Sequence, residues 1–246
     1  MTSIADAVQK ALTEQSSSQK PLAVILAGHN GAGKSTMWVD HLSADLQIPL
    51  VNADRIMMSI LPEVRRDEKL PPWAQTLRDT DEGWMAVAQK GVEAFVAQAM
   101  GQGVPFAMET VFSHWRELEN GKIESKVDLI RQMQRTGYFV LLFFVGLSNV
   151  DLSIARVITR VAKGGHDVGH DRLTSRFPRT RKAIRLASTI ADATIFMDNS
   201  RELKDAFTVC RIQLREKEIF DIRVASDKCP DAVITEWLDV VWPLNT

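Results

Sequence analysis

Eight consecutive residues, Gly28-His29-Asn30-Gly31-Ala32-Gly33-Lys34-Ser35, fit the pattern G-x-x-x-x-G-K-[ST] without a gap. The chemistry such a run can do is phosphate binding. Glycines open backbone conformations closed to other residues, so successive N–H groups can curl around an anion. Lys34 adds a flexible cation, and a helix starting at Ser35 turns its positive dipole end toward the same anion. The Ser35 hydroxyl suits Mg²⁺. Gly28 to Ser35, with Thr36 next to them, are therefore expected to hold a nucleoside triphosphate. The motif by itself does not separate a kinase from an ATPase or a switch.

Two carboxylates and a basic segment could supply the rest of a reaction. Asp54, in "VNADRI", follows a short apolar run; it is either a base facing the terminal phosphate or a helix N-cap, a position Asp favours. Glu109 ends the apolar run "FAMET", where an acidic side chain is functional or is satisfied by a backbone or arginine partner. Between residues 156 and 185 lie Arg156, Arg160, Lys163, Arg172, Arg176, Arg179, Arg181, Lys182 and Arg185, opposed only by Asp167 and Asp171. Arg156 and Arg160 share one helix face, where like charges repel unless polyanionic phosphates meet them. Gly164 and Gly165 suggest a hinge, and hence a lid over the nucleotide. Arg179 to Arg185 also suit a solvated basic face. Nucleic acid is an unfavoured partner, because Phe177 is the one aromatic residue in the stretch. His166 and His170 stand four apart, but the glycines around them argue against a helical zinc pair.

The elements that must position these groups alternate between strand and helix. Leu22 to Ala27 is a β-branched, apolar strand leading into the glycine-rich turn, and a helix is expected to run on to about Leu46. "IPLVNADRI", "VPFAMET", "GYFVLLFFVGL" and "ATIFMDNS" read as further strands, several ending in polar residues. In an open parallel sheet, ligands bind at that carboxyl edge. The run Tyr138 to Leu147 suits a central strand buried on both faces. Residues 4–15 read as an amphipathic helix, Gln15 to Lys20 as a flexible joint, and 62–80 as a loop with one or two helical turns. Trp84, Val87, Ala88, Gly91, Val92, Phe95, Val96 and Ala99 recur at helical spacing, as a core-facing stripe would. Lys122 to Thr136 reads as another helix. After residue 205, Cys210, Ile212 and Leu214, then Phe220, Ile222 and Val224, alternate with polar residues. That pattern predicts an antiparallel hairpin, capped by a helix around Asp231 to Val241.

Composition sets outer bounds. The chain has 246 residues, 45% of them hydrophobic and 25% charged, with a net charge of −1, so it has no global pull toward nucleic acid or a membrane surface. Cys210 and Cys229 have no metal-ligand spacing and read as free thiols in a reducing compartment. The N-terminal residues lack the apolar core of a signal peptide. No run reaches the length of a membrane span. These features together read as a cytoplasmic protein.

"AGHNGAGKST", "VNADRI", "FAMETVFSH", "ARVITRVAKGGHDV" with "RLTSRFPR", and "ADATIFMDNS" occur in an order that resembles the zeta-toxin family of P-loop kinases, from about Pro21 to Ser200. The resemblance implies an α/β, nucleotide-kinase-like fold: a five-stranded parallel sheet flanked by helices, with an arginine-bearing lid at about 150–180. On that reading residues 1–20 are an N-terminal helix and joint, 21–200 the kinase core, and 201–246 an appended hairpin and helix. It implies ATP and Mg²⁺ as cofactors and a small-molecule acceptor, which in the family's toxins is a UDP-N-acetyl amino sugar phosphorylated at its 3′-hydroxyl. A helical antitoxin protein is a possible partner. Lys34 then matches the phosphate lysine, Ser35 the Mg²⁺ hydroxyl and Asp54 the general base. Glu109 and its neighbour Thr110 fall at the substrate site. Arg160 and Arg176 best match the lid arginines, with Arg156 and Arg172 as rivals. The segment after Glu109 departs from the toxins, which carry Gly-Thr and a nearby arginine there. Here Thr110-Val111-Phe112-Ser113 follows, and the next arginine is Arg116. A kinase of another small molecule, or a binding module that hydrolyses ATP slowly, are the alternative readings.

Overall fold

The computed structural model describes residues 2–64, 70–225 and 230–244. Cys229 and residues 65–69 of the predicted loop lie outside these. In chain order the elements are α1 (Ile4–Ser18), β1 (Leu22–Gly28), α2 (Lys34–Met37), α3 (Ser43–Leu46), β2 (Leu50–Val51), α4 (Ala53–Ser59), α5 (Pro72–Asp79), α6 (Glu82–Gln102) and β3 (Phe106–Thr110). There follow β4 (Trp115–Glu117), β5 (Ile123–Ser125), α7 (Val127–Arg135), β6 (Phe139–Gly146), α8 (Val150–Ala162), α9 (His170–Ser188), β7 (Ala193–Asp198), β8 (Thr208–Leu214), β9 (Lys217–Asp221) and α10 (Ala232–Val241).

Among the described residues the main sheet has seven strands in the order β2-β3-β1-β6-β7-β8-β9. The first five run parallel, and β8 and then β9 are added through antiparallel pairs. The central strands have the composition this requires. Every residue of β1 and of β6 is buried, because helices cover both faces of the sheet. Ala23, Ile25 and Ala27 of β1 face α6, α7, α9 and α10, whereas Leu22, Val24 and Leu26 face α1 and the helix after the glycine-rich turn. Each large side chain so buried contributes about 1.5–3 kcal/mol. Among the described residues no helix is long and apolar enough to cross a membrane.

Three local expectations are corrected. The stretch Gln15 to Lys20 is not a joint: α1 continues to Ser18 and ends on Gln19 in the left-handed conformation. Its serines bond back onto the helix, Ser17 to the Thr13 carbonyl and Ser18 to that of Gln15. The helix predicted from Lys122 begins only at Val127, because Ile123–Ser125 pairs with Trp115–Glu117 as a small hairpin. On α6 the predicted stripe is too wide. Ala88, Val92, Val96 and Ala99 are buried, whereas Trp84, Val87 and Phe95 are exposed on a face that meets neither the core nor the cleft. The helix expected to run on to about Leu46 does so, passing through a π-turn at Trp38–Leu42.

The predicted hairpin forms as β8 and β9 and extends the main sheet through β7, though its second strand stops at Asp221, short of Val224. β8 is buried on both faces, with α1 on one side and α10 on the other. Alternating polar residues are therefore inside the protein. Arg211 is accommodated by Glu218, Gln213 and Asp221 and lies over the Trp242 ring.

Candidate active site

A cleft of about 2100 Å³ opens at the carboxyl edge of the parallel strands. It is lined by the glycine-rich turn after β1, the start of α4, the first half of α6, the segment after β3, and the two helices α8 and α9. This is the edge at which successive strand-to-helix turns converge.

The turn is built from glycines because nothing larger fits. Gly31 (φ 71°) and Gly33 (φ 87°) lie in the left-handed region. A Cβ on Gly31 would meet the Arg156 Cβ at 2.9 Å, and one on Gly33 would meet Asn199 Nδ2 at 2.7 Å. The loop is held from behind by distant residues. Asn199 donates to the Ala32 carbonyl at 2.9 Å, and the Ser153 hydroxyl donates to that of Asn30 at 2.7 Å. No side chain caps α2, so its first N–H groups are open to an anion. His29 takes part through its backbone alone. Its ring is buried, stacked on Phe177 at 3.8 Å, and burial, with Arg181 and Lys34 nearby, holds its pKa well below the ordinary histidine range.

Lys34 lies across this loop and donates to the carbonyls of Gly28 and His29 at 3.1 and 3.0 Å. Burial lowers its pKa, opposed by the carboxylates of Glu109 and Asp54. The Ser35 hydroxyl donates to Glu109 Oε2 at 2.9 Å, and Glu109 Oε1 is 3.8 Å from Lys34 Nζ. Glu109, expected on the acceptor side, thus lies against the phosphate loop. Thr36 lines the same wall. Thr110 is buried, and its hydroxyl accepts from Phe112 N and from Lys126 Nζ.

The cap of α4 is Asn52, whose side chain accepts from the backbone N–H groups of Asp54 and Arg55. Asp54 is one residue inside the helix, its side chain exposed in the cleft. It is close enough to Lys34 and to Arg176 to favour the charged form of both.

All four candidate lid arginines line the cleft, and Arg156, Arg160 and Arg176 are half-buried in it. Burial lowers the pKa of Arg156 and of Arg176. Arg160 donates to the His166 carbonyl at 2.6 Å, while its buried Nε has no partner among the described residues. Arg172 differs, being exposed and paired with Glu82 at 2.8 Å. The segment between α8 and α9 turns at Gly164 (φ 86°). Arg78 clasps it, bonding Asp79 with one side of its guanidinium and the Gly164 carbonyl with Nη1 at 2.8 Å. Arg181 is no solvated charge: it donates to the Leu147 and Ser148 carbonyls and stacks over Phe177.

Several site residues escaped sequence reasoning. Asn52 and Asn199, inside quoted segments but given no role there, and Ser153, outside them, support the site. Asp198, at the polar end of β7, is fully buried and bonds Ser200, Arg201 and Trp237, so it is a structural carboxylate. Lys126 and Glu93 line the cleft, and only the hairpin that delivers Lys126 could have revealed it.

A parallel sheet, a glycine-rich strand-to-helix turn with its lysine, and an arginine-bearing helical pair over one cleft define the P-loop kinase class of fold. The zeta toxin family matches residues 5–222, and the chain belongs to that family. An uncharacterized protein of Haemophilus influenzae is 29% identical over 155 residues, 63% of this chain and 91% of the relative. Among solved structures, a chain of the PezAT chromosomal toxin–antitoxin system of Streptococcus pneumoniae superposes with a TM-score of 0.52 at 14% identity, covering 97% of this chain and 88% of that one. The AvrRxo1-ORF1:-ORF2 complex gives 0.56 at 14% identity, covering 97% and 70%. Its form with ATP gives 0.54 at 16%, covering 85% and 64%. At these identities the superpositions speak for the fold.

Proposed function

We propose that the protein is an ATP-dependent kinase of a small-molecule hydroxyl, working in the cytoplasm, with UDP-N-acetylglucosamine as the first acceptor to test. The observation that carries this reading is the position of Asp54, left free of capping by Asn52 and lining the same cleft as Lys34 and Arg176. A pure binding module has no need of a free carboxylate there. The zeta toxin family and an ATP-bound structural neighbour support ATP as the donor.

In this mechanism Gly31 to Thr36 present backbone N–H groups to the β- and γ-phosphates, and Lys34 leaves its own loop carbonyls to contact them. Arg160 and Arg176, with Arg156 beside them, meet the charge that develops on the moving phosphoryl group. The acceptor oxygen attacks the γ-phosphorus, the bond to the β–γ bridging oxygen breaks, and the acceptor proton passes to Asp54, leaving ADP. A hard divalent cation prefers oxygen donors, and the Ser35 hydroxyl beside the Glu109 carboxylate is such a set. Bound there, Mg²⁺ supplies charge neutralisation for the phosphates. Superposition on toxin–antitoxin complexes supports a further proposal, that an antitoxin protein restrains the activity.

An acceptor screen with γ-labelled ATP tests the reading. Label appearing on a sugar nucleotide or other metabolite supports it. Free phosphate alone, with every acceptor class supplied, overturns it in favour of a slow ATPase.

A further inference from the structure

The last turn of α5 enters no step of the mechanism above, yet it reaches the segment between α8 and α9. Side chains next to each other along a helix do not face one another, but α5 ends at Asp79, and there Arg78 and Asp79 meet fork to fork. Arg78 Nε and Nη2 donate to the two Asp79 carboxylate oxygens at 2.7 and 2.8 Å. The remaining arm, Nη1, donates to the Gly164 carbonyl at 2.8 Å, 86 positions away. Asp79 Oδ1 stands 3.5 Å from His166 Nδ1. One ion pair thus holds both ends of the turn Gly164-Gly165-His166.

That turn holds Arg160. The His166 carbonyl accepts from Arg160 Nη2 at 2.6 Å, and the Gly165 N–H donates to the Arg160 carbonyl at 3.0 Å. The fit is close, since a Cβ on Gly165 would meet Arg160 Cγ at 2.6 Å. Arg160 Nε, buried and without a partner among the described residues, is a donor still open to an anion. The Arg78 and Asp79 side chains are 12% and 25% exposed, against 53% and 83% for Arg172 and Glu82, which join α9 to α6 at the same cleft. Paired forks sheltered from water are the strong kind of ion pair, whereas exposed pairs contribute little. Beyond the turn, Val168 packs with Val157 and Leu173. Loss of the polar bridge therefore shifts the turn and leaves the segment attached.

We infer that Arg78 and Asp79 are positioning residues, which latch the turn Gly164-Gly165-His166 to the end of α5 and so hold the Arg160 guanidinium where the phosphoryl group passes. Every hydrogen-bonding side of the Arg78 guanidinium is taken up by Asp79 and Gly164, so the pair acts through Arg160 and not on the substrate. The role of Arg160 rests on the kinase reading, whereas the latch itself is a matter of how firmly one segment is held.

The test compares full-length wild type with Arg78→Ala, Arg78→Lys, Asp79→Asn and the control Glu82→Gln, each checked for folding by thermal unfolding. Hydrogen exchange across residues 163–168 reads the latch without any turnover, and it should speed up in Arg78→Ala and Asp79→Asn. Turnover of γ-labelled ATP with Mg²⁺, whether the label passes to an acceptor or to water, reads the consequence. In the same two variants kcat should fall about ten- to hundredfold, as a misplacement of about 1 Å costs, with the KM for ATP unchanged. Arg78→Lys has a compact ammonium in place of the fork and should recover part of the loss. Glu82→Gln should change neither readout. In an Arg160→Ala background, Arg78→Ala should cost nothing further, because residues that act through one another do not add. Unchanged exchange in Arg78→Ala, or faster exchange with unchanged kcat, overturns the inference. So does a full additional loss on top of Arg160→Ala, which would put Arg78 on the substrate itself. If wild type passes label to water alone, whatever acceptor is supplied, the kinase reading falls, and the same comparison made on hydrolysis still decides the latch.

Discussion

Asn52 Oδ1 accepts the backbone N–H of Asp54 at 2.7 Å. This one bond decides between two uses of an aspartate. At a helix start Asp serves as a cap or as a chemical group, and it rarely serves both, since capping turns the carboxylate back onto the backbone. With Asn52 as the cap, the Asp54 carboxylate is available to the cleft.

The two residues should therefore fail in different ways. Asp54→Asn should keep its fold and its ATP affinity while phosphoryl transfer drops by about 10²–10⁴, the usual loss when a positioned base is removed. Asn52→Ala should cost about 1 kcal/mol of stability, as loss of a cap does, visible in a denaturant titration. Wild-type transfer by Asp54→Asn would rule out the base.

Lys34→Ala should abolish or severely weaken ATP binding in the presence of Mg²⁺. Lys34 is buried against the loop carbonyls that a phosphate would face, and the remaining turn offers backbone N–H groups alone. Calorimetry on the folded variant checks this, and unchanged affinity would remove the phosphate site.

The arginines should separate by position. Arg160→Ala and Arg176→Ala should reduce turnover by about 10³–10⁵, the range for transition-state arginines in phosphoryl transfer, with a much smaller change in ATP affinity. Arg172→Ala should do little, because its partner Glu82 is an exposed carboxylate and exposed pairs contribute about 0–1 kcal/mol. Steady-state rates of the three variants compare them directly. Equal losses in all three would dissolve the distinction between cleft and brace.

His29 makes stability depend on pH. Its folded pKa lies well below the unfolded value because burial disfavours the imidazolium. The unfolded chain therefore binds the extra proton first, and stability, complete above about pH 6.5, falls as pH drops below that value. Thermal unfolding scans from pH 7.5 to 5 should show a falling Tm. His29→Asn, which cannot titrate, should flatten the His29 share of that slope, even if it lowers Tm throughout by losing the stack on Phe177.

Sequence alone determined the parts of this protein whose chemistry is local. The glycine-rich turn is contiguous because the phosphate cradle is made of adjacent backbone N–H groups. β1 and β6 were legible because burial on both faces leaves an unbroken apolar run. Family resemblance carried Asp54, Glu109 and the lid arginines onto the map, and their order along the chain placed them at one sheet edge. What surrounds those residues was decided by tertiary structure. Asn199 secures Ala32 across 167 positions, and no pattern of propensities links two residues so far apart. Trp84, Val87 and Phe95 have helical spacing, but whether a helix stripe is covered depends on where its neighbours stop, and here all three are left exposed, outside both core and cleft. Arg116 and Lys126 are similar cations ten positions apart. Arg116 lies in the β4–β5 ladder and is exposed, whereas Lys126 lies beyond it, at the cap of α7, and lines the cleft. Where a hairpin ends and the next helix begins depends on which residues pair, and pairing is a property of two strands that neither holds alone.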